Sequence, residues 1–403
     1  MAISKISANM IDGSLTSSLV TGSLPAVDGS ALTGAGAGID TETTSDPTSS
    51  TNPSGTGHLW VNKSSGEMFI CTDATAGFNI WVNIGGGSHG YAKPFGGIGG
   101  GTISGFIAGG YAGNASFQIT RTIEEYSLVT DGNKSAHGNL VARGTEAAGD
   151  FGTGFNVGNA SSTHGYSSGG DFRTPWQNTN AIDKFAFASN TTAVDQGDLV
   201  TVLNYAGSQS SSTHGYVTGG YKASSPTARR SAYQRFSFSS AGNASDVGTL
   251  ITGVQSNFGQ SSNTHGYQTG GYNTSDAYVN SIERFSFASN GATTDVGNLT
   301  QAVQNGASVS SASHGYLAGG STGATTDRID KFSFTSNSNA SSVGSLTSAF
   351  LAGGSASAVT HGYVVGGSGP IDTVQKWAYA SDGTASNIGT LTAARQNGAS
   401  SQF

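Results

Sequence analysis

Charged residues, cysteine and long apolar runs are scarce in this chain, and each scarcity excludes a class of protein. Only 10% of the 403 residues are charged, and the formal net charge of −7 does not suit a nucleic-acid-binding surface, which needs clustered Lys and Arg. The single cysteine, Cys71, excludes an internal disulfide and any metal site built from several cysteines. We expect neither a signal peptide nor a membrane helix, because no apolar run has the length that either requires.

Glycine and small polar residues take the place of the missing charges. The chain contains 62 Gly, and hydrophobic residues make up 35% of it. Disordered chains usually combine low hydrophobicity with high charge, whereas this chain has little charge and places its 19 Phe and 14 Tyr at regular positions. The composition therefore favours an all-β fold of short strands joined by small-residue turns.

One phrase recurs along the chain: His-Gly-Tyr, followed two residues later by Gly-Gly. Its five complete copies begin at His164, His214, His265, His314 and His361, with 47 to 51 residues between successive copies. A degenerate copy, Gly105-Phe106 with Gly109-Gly110, precedes them. A period of this length is typical of solenoids and propellers, and six copies predict six repeats over residues 102–403.

Each repeat contains four strand-like pieces, which is the arithmetic of a propeller blade. The first piece is small and polar, the second carries His-Gly-Tyr, and the third has aromatic residues at alternate positions, such as Phe285 and Phe287. The fourth is the phrase Val-Gly-x-Leu, as in 296–299. The last residues, 392–401, match 300–310, so the chain ends on the first strand of a new blade. We therefore predict a closed six-bladed β-propeller in which 394–401 pairs beside 104–110.

Two segments precede the repeats. Residues 1–57 carry isolated apolar residues among Ser, Thr, Gly and Asp, and cannot bury a core alone. They are either a flexible tail or an attachment segment that orders against copies of itself or a partner. Residues 58–101 predict a small β module and a Gly-rich linker, with Trp60 packed on Trp81.

Two resemblances follow from these residues. The phrase LPAVDGSALTG (residues 24–34) is similar to N-terminal segments of bacteriophage tail-fibre proteins. The repeats are Kelch-like, and the stretch from Ile282 to Leu299 is similar to repeats of phage virion proteins. The chain lacks the Trp that animal Kelch domains carry in strand four, so Kelch-type partner recognition is not implied. The fibre resemblance implies a virion location and a trimer, with the N-terminal segment bound to other virion proteins.

The sequence offers little for catalysis. We expect each repeated His to hydrogen-bond a neighbouring turn, because one His per blade cannot form a single metal site. Acidic residues such as Asp183, Glu283 and Asp330 precede a Lys or Arg in register, and we interpret them as solvated charges on a strand face. No enzyme activity, cofactor or metal is predicted.

A binding surface has better support, because the loops after strand two vary while the strands repeat. Aromatic and Arg residues dominate binding hot spots, and aromatic rings amid polar groups suit sugar binding. The alternative is that these rings pack back onto the blade edges. The predicted receptor-binding residues are Phe172, Arg173, Trp176, Tyr221, Arg229, Arg230, Tyr233, Tyr272 and Tyr278.

These observations favour a phage virion adhesion protein whose propeller binds a host surface glycan or protein. The alternative is a virion structural or decoration protein that binds only other virion proteins. A glycan-cleaving enzyme is a weaker third possibility. No nucleic-acid partner and no membrane insertion are expected.

Overall fold

The computed structural model describes residues 39–48, 50–64, 67–77, 79–83, 104–112, 118–131, 135–143, 152–172, 177–222 and 228–402. The chain divides into two compact units, 1–88 and 89–403. Within the described ranges the regular secondary structure consists of β-strands. No helix there is long and apolar enough to cross a membrane. The fold is all-β and, in the second unit, β-propeller-like, as the sequence predicts at this level.

The N-terminal unit holds one four-stranded sheet in the order β1-β2-β3-β4. Its strands are β1 (Thr41–Thr43), β2 (Leu59–Asn62), β3 (Glu67–Asp73) and β4 (Ile80–Asn83). The rings of Trp60 and Trp81 meet edge to face with centroids 5.7 Å apart, as predicted, and Cys71, opposite Trp81 in the sheet, is buried. Strand β1 comes from the predicted attachment segment and pairs parallel with β2.

The second unit contains all the remaining strands. The first repeat has β5 (Ser104–Ala108), β6 (Tyr111–Ala112), β7 (Gln118–Ile119), β8 (Thr122–Ser127) and β9 (Ser135–Asn139). The second has β10 (Val157–Ala160), β11 (His164–Ser168), β12 (Asp171–Phe172), β13 (Gln177–Asn178), β14 (Ala181–Ala186) and β15 (Val194–Asp198). The third has β16 (Leu203–Asn204), β17 (Gly207–Ser210), β18 (His214–Thr218), β19 (Tyr221–Lys222), β20 (Ala228–Ser237) and β21 (Ser245–Gln255).

The other three repeats are built alike. The fourth has β22 (Phe258–Ser261), β23 (His265–Asn273), β24 (Tyr278–Ser286), β25 (Gly291–Ala292) and β26 (Thr294–Asn298). The fifth has β27 (Ala307–Ser310), β28 (His314–Ala318), β29 (Arg328–Ser333) and β30 (Ser341–Ser345). The sixth has β31 (Gly354–Ser357), β32 (His361–Val365), β33 (Ile371–Ala378) and β34 (Ser386–Gln396), and β35 (Ala399–Gln402) follows it.

Each repeat contributes to one antiparallel arrangement of four main strands, which we call strands one to four. Their orders are β35-β5-β8-β9, β10-β11-β14-β15, β17-β18-β20-β21, β22-β23-β24-β26, β27-β28-β29-β30 and β31-β32-β33-β34. The last strand of the chain thus supplies strand one of the first repeat, with Ala399 opposite Ala108. Strands one contact each other in that order, and β31 also contacts β35.

Small residues allow strands one to approach each other so closely. A Cβ added to Gly158 would lie 1.9 Å from the backbone oxygen of Ser400 in the neighbouring strand one, and one added to Gly259 would lie 1.9 Å from that of Ser208. No side chain fits at such a distance. The small polar composition of strand one is therefore a packing requirement.

Six residues with positive φ form what we call the axial ring. Each stands two positions before strand one: Phe155, Tyr205, Ser256, Asn305, Ala352 and Asn397. The backbone N–H of each donates to the carbonyl oxygen of its counterpart in the preceding repeat, and that of Phe155 donates to Asn397, over distances of 2.6 to 3.3 Å. The six hydrogen bonds close on themselves, so Phe155 and Asn397, the first and last members along the chain, are neighbours in the ring.

Aromatic stacking fills the space between neighbouring sheets. The Tyr of His-Gly-Tyr stacks on the second strand-three aromatic of the next repeat, for example Tyr166 on Phe238 with centroids 4.8 Å apart. In the first repeat Phe106 takes the place of the Tyr and stacks on Phe187. Between the sixth and first repeats, the hydroxyl of Tyr363 donates to the carbonyl oxygen of Leu128 at 3.1 Å. The core therefore lies in the interfaces between sheets.

We expect a chain that ends at Gly398 to lose several kcal/mol of unfolding free energy. It would lack the buried strand β35, and the backbone groups of β5 would lose their partners. Calorimetry of the truncated and full chains measures the loss, and a synthetic peptide of residues 396–403 should restore part of it. A chain that begins at Gly101 is the control. Equal melting of the truncated and full chains would show that β35 does not close the ring.

Candidate functional site

The loops after strand two and the segments before strand one lie on the same face of the second unit. They pair with each other in five repeats: Gly154 with Asp171, Asn204 with Tyr221, Gln255 with Tyr272, Gln304 with Ser321 and, from the chain's end, Gln396 with Tyr111. The Gly-Gly pair at the end of strand two makes the turn into each of these loops possible. Gly270 and Gly271 have φ values of 55° and 113°, and a Cβ on Gly270 would lie 2.7 Å from the backbone oxygen of Val303.

An aromatic and arginine cluster joins the third and fourth repeats on this loop face. The guanidinium of Arg229 lies 4.5 Å from the ring centroid of Tyr272. It also pairs with Asp276 at 2.8 Å, and its Nε donates to Gln255 Oε1 at 3.2 Å. The ring of Tyr278 lies 5.4 Å from that of Tyr272. Three fixed contacts hold the Arg229 side chain, so the cluster is organised without a ligand.

Other predicted receptor-binding residues have different environments. Phe172 and Tyr221 are half-buried on the loop face. Arg230 donates to both carboxylate oxygens of Asp246 at 2.5 Å, which commits it to an ion pair. Arg173 and Trp176 lie outside the described residues.

The prediction for Tyr233 is wrong, because its side chain is fully buried. Residue 233 lies inside strand three and not in the loop, and its ring packs against Phe285 of the next sheet with centroids 4.3 Å apart. Tyr233 therefore belongs to the core.

Two aromatic residues on the loop face were missed by sequence analysis. Phe155 and Tyr205 of the axial ring pack together with centroids 4.1 Å apart, and the fully buried ring of Tyr111 lies 5.0 Å from Phe155. The hydroxyl of Tyr111 donates to buried Asp171 at 2.6 Å. Burial, and then the nearby Asp171 carboxylate, raises the pKa of Tyr205 to about 12, so its hydroxyl stays protonated. An alignment of the repeats would have revealed these two residues. Asn305 and Asn397 occupy the equivalent position in other repeats, and Phe155 and Tyr205 replace that Asn by an aromatic residue.

Beside these rings a cavity of about 110 Å³ opens, and a further one of about 150 Å³ lies among the strands one. Both are lined by Asn156 and Asn257 together with many Gly, Ala and Ser residues.

The repeated His residues lie at the other end of strand two, where each is fixed by its neighbour. In all five copies the ring Nδ1 lies 2.8 Å from the hydroxyl of the preceding Thr or Ser. Burial, and then a Lys or Arg of strand three, lowers the pKa of each of these His residues. Among the described residues, no three His, Cys, Asp or Glu side chains are placed to hold a metal ion together. The contact with the adjacent turn is the one predicted.

The prediction that the strand-three acidic residues are solvated is wrong. Asp183, Glu283 and Asp330 are at most 2% exposed. They belong to a set of six buried side chains, one in each repeat, which we call the strand-three acceptors: Glu124, Asp183, Gln234, Glu283, Asp330 and Gln375.

Each strand-three acceptor binds the repeat before it. Its side-chain oxygen accepts the backbone N–H of the residue directly after the Leu that closes the strand-four phrase there, over 2.7 to 3.2 Å. The donors are Thr392, Val141, Val200, Ile251, Thr300 and Thr347 in the same order. A carboxylate or a Gln amide serves equally here because both present an acceptor oxygen. These groups hold the fold together and are not free for chemistry.

Comparison with known proteins gives a fold and nothing more. No family model matches the chain, and no curated protein matches it. Among solved structures, YjhT, a β-propeller protein, superposes with a TM-score of 0.52 at 13% identity. The match covers 61% of this chain and 86% of that one. At this identity the likeness is one of architecture, and function has to be argued from the site.

We expect replacement of Glu283 by Gln to remove a pH-dependent loss of stability. Burial raises the pKa of Glu283, although the Thr293 hydroxyl and the Ile251 N–H oppose the rise. The folded state therefore holds the proton more tightly than the unfolded chain. The contribution of protonated Glu283 to the stability of the folded state is complete below the unfolded pKa of about 4.3 and is lost as pH rises through the folded-state pKa.

Denaturant unfolding of both chains between about pH 4 and 8 checks this. The advantage of Glu283→Gln over the natural chain should grow with pH, and Gln234→Glu should show the opposite trend. A difference that stays constant with pH would contradict the assignment.

Proposed function

We propose that the chain is a bacteriophage virion adhesion protein, a tail fibre or receptor-binding protein whose second unit binds a host surface glycan or protein. The observation that carries the proposal is the preorganised cluster of Arg229, Tyr272 and Tyr278 on the loop face. Binding residues are commonly placed on loops that a rigid scaffold positions, and Tyr and Arg are frequent hot-spot residues. The fibre-like phrase at residues 24–34 supports the virion location.

We also propose that the second unit is a six-bladed, Kelch-like propeller closed by its C-terminal strand. Three observations support this arrangement: the six sets of four strands, the closed axial ring, and the strand-three acceptors that link each repeat to the one before it. Because the ring of repeats is closed, there is no exposed end of the row at which another chain could add a strand. Such a scaffold is rigid enough to hold a binding face.

Binding without catalysis is the role that we propose for the loop face. The repeated carboxylates that could serve an acid–base reaction accept backbone N–H groups within the fold. The cluster at Arg229 presents a cation already paired with Asp276, which suits hydrogen bonding to a ligand better than proton transfer.

Alanine at both Arg229 and Tyr272 should weaken glycan or cell binding by roughly 1–3 kcal/mol, with little change in melting temperature. The two side chains are half-buried at the surface, so their loss removes a contact face and little core. A printed glycan array and adsorption to host cells measure binding of the full chain. His265→Ala is the matched control, because His265 lies at the other end of strand two.

Unchanged binding by the double alanine variant would remove this cluster from the receptor site. If the natural chain binds neither glycans nor cells but captures proteins of the dissociated particle, the decoration role takes precedence.

We propose that residues 1–57 attach the protein to the particle and form a trimer. Light scattering of the full chain and of a chain starting at Gly101 tests this. We expect about three times the monomer mass for the full chain and the monomer mass for the shorter one, because the proposed trimer contacts lie in the removed segment. Equal monomer masses for both would contradict the proposal.

A further inference from the structure

In five repeats a Lys or Arg directly follows the strand-three acceptor, near the end of the sheet where the repeated His residues lie. Three of these cations reach an Asp or Asn in the turn between strands three and four of the next repeat, in the pairs Lys331–Asp382, Lys376–Asp131 and Arg284–Asn337. This turn residue is the third after the second strand-three aromatic position, and it is Asp or Asn in five of the six repeats. The cations of these three pairs are therefore committed to partners within the fold.

Lys184 of the second repeat is the exception, because the equivalent turn residue of the third repeat is Ala241. Its ammonium group forms no ion pair or hydrogen bond within the described residues, and it lies 5.9 Å from the ring centroid of Tyr166. Lys331 lies 5.7 Å from the ring centroid of Tyr316 in the same way, so the two lysines are held alike and differ in having a carboxylate partner. The fold thus leaves the charge of Lys184 unpaired.

A cavity of about 370 Å³ lies beside Lys184, between the second and third repeats. Its lining includes the exposed residues Thr191, Thr192 and Val194, so a ligand reaches it from solvent. His164 also lines it, and the Nε2 atom of its ring forms no hydrogen bond within the described part of the chain. The volume falls in the range of small-molecule sites and exceeds what a bare carboxylate would fill.

The charges around the cavity select the kind of anion. Among the residues that the structure describes, Asp195 is the one carboxylate on the lining, and its Oδ1 accepts the backbone N–H of Gly197 at 3.0 Å. One ammonium group balances one negative charge, whereas Asp195 would repel the second charge of a phosphate dianion. The site therefore favours a monoanionic carboxylate, and the hydroxyls of Thr191 and Thr192 favour one that carries hydroxyls of its own.

We propose that this cavity is a second binding site, which takes a sugar carboxylate such as a uronate residue. Lys184 and His164 bind the carboxylate, and Thr191 and Thr192 bind hydroxyls of the sugar. The site goes beyond the proposed function, because it lies at the His end of the sheets whereas the cluster of Arg229 lies on the loop face. It exists at this junction because Ala241 replaces the Asp or Asn that would otherwise pair with the cation.

Titration of the full chain with methyl glucuronide, followed by saturation-transfer NMR, tests the site. We expect a Kd on the order of 1 mM for this single sugar residue. Lys184→Gln should weaken binding roughly tenfold or more because it removes the cation. Ala241→Asp should do the same, since it supplies to Lys184 the carboxylate that Asp382 supplies to Lys331. Asp195→Asn should tighten binding about twofold because it removes a repelling charge.

Lys331→Gln is the matched control, because the lysine that it replaces already has a carboxylate partner. It should bind methyl glucuronide as the natural chain does. The four replaced side chains are exposed or half-buried, so each variant should melt within about 4 °C of the natural chain. Methyl glucoside, which lacks the carboxylate, and acetate, which lacks the sugar, should bind much more weakly than methyl glucuronide.

Three results would overturn the proposal. The first is that the natural chain does not bind methyl glucuronide, and the second is that acetate binds as tightly. The third is unchanged binding by Lys184→Gln or by a folded Ala241→Asp chain. Arg229→Ala with Tyr272→Ala should leave the binding of methyl glucuronide unchanged, so the outcome for this site is independent of the outcome for the loop face.

Discussion

The hydrogen bond from each repeat to the strand-three acceptor of the next is the constraint on which the second unit depends. A lone four-stranded sheet of short strands has two exposed faces and little core. Here each sheet is fixed to its neighbour by one buried acceptor, as in Glu283 with the N–H of Ile251, and by aromatic stacking close by. All six junctions use the same hydrogen bond, and the contacts between strands one run from β35 through β10, β17, β22, β27 and β31 back to β35.

The junction between the sixth and first repeats holds the most deeply buried ion pair of the second unit among the described residues. Glu124 accepts the N–H of Thr392 and also pairs with Arg395, and both charged side chains are almost fully buried. Arg395 donates further to the backbone oxygens of Gly109 and Thr122. A buried ion pair is costly to break once formed, because either partner alone would be an uncompensated charge. Removal of either partner would therefore destabilise this junction strongly.

The rigidity of this frame is what makes the loop face suitable for recognition. The strands repeat, whereas the segments after Gly-Gly differ in length and carry Arg229, Tyr272 and Tyr278. At the centre of the same face the axial ring fixes the backbone so firmly that it holds Phe155 and Tyr205 in a conformation that bulky residues avoid. The loop residues at the rim vary between repeats and the residues at the centre are strained, while the strands that support both repeat.

The sequence alone determined the periodicity, the strands of each repeat and the pairing of the C-terminal strand with β5. These follow from alternation, glycine position and the match of 392–401 to 300–310, which are local patterns. It did not determine which polar residues are buried or which aromatic residues face outward. Asp183 and Glu283 look like surface charges because their acceptor role involves a backbone N–H about 30 to 40 residues away. Tyr233 looks like a loop residue because it is aromatic and follows Arg229 and Arg230, whereas the other repeats carry Ile or Val at the same buried position of strand three, such as Ile182 and Ile282. Burial depends on the neighbouring sheet, so only the tertiary structure decided it.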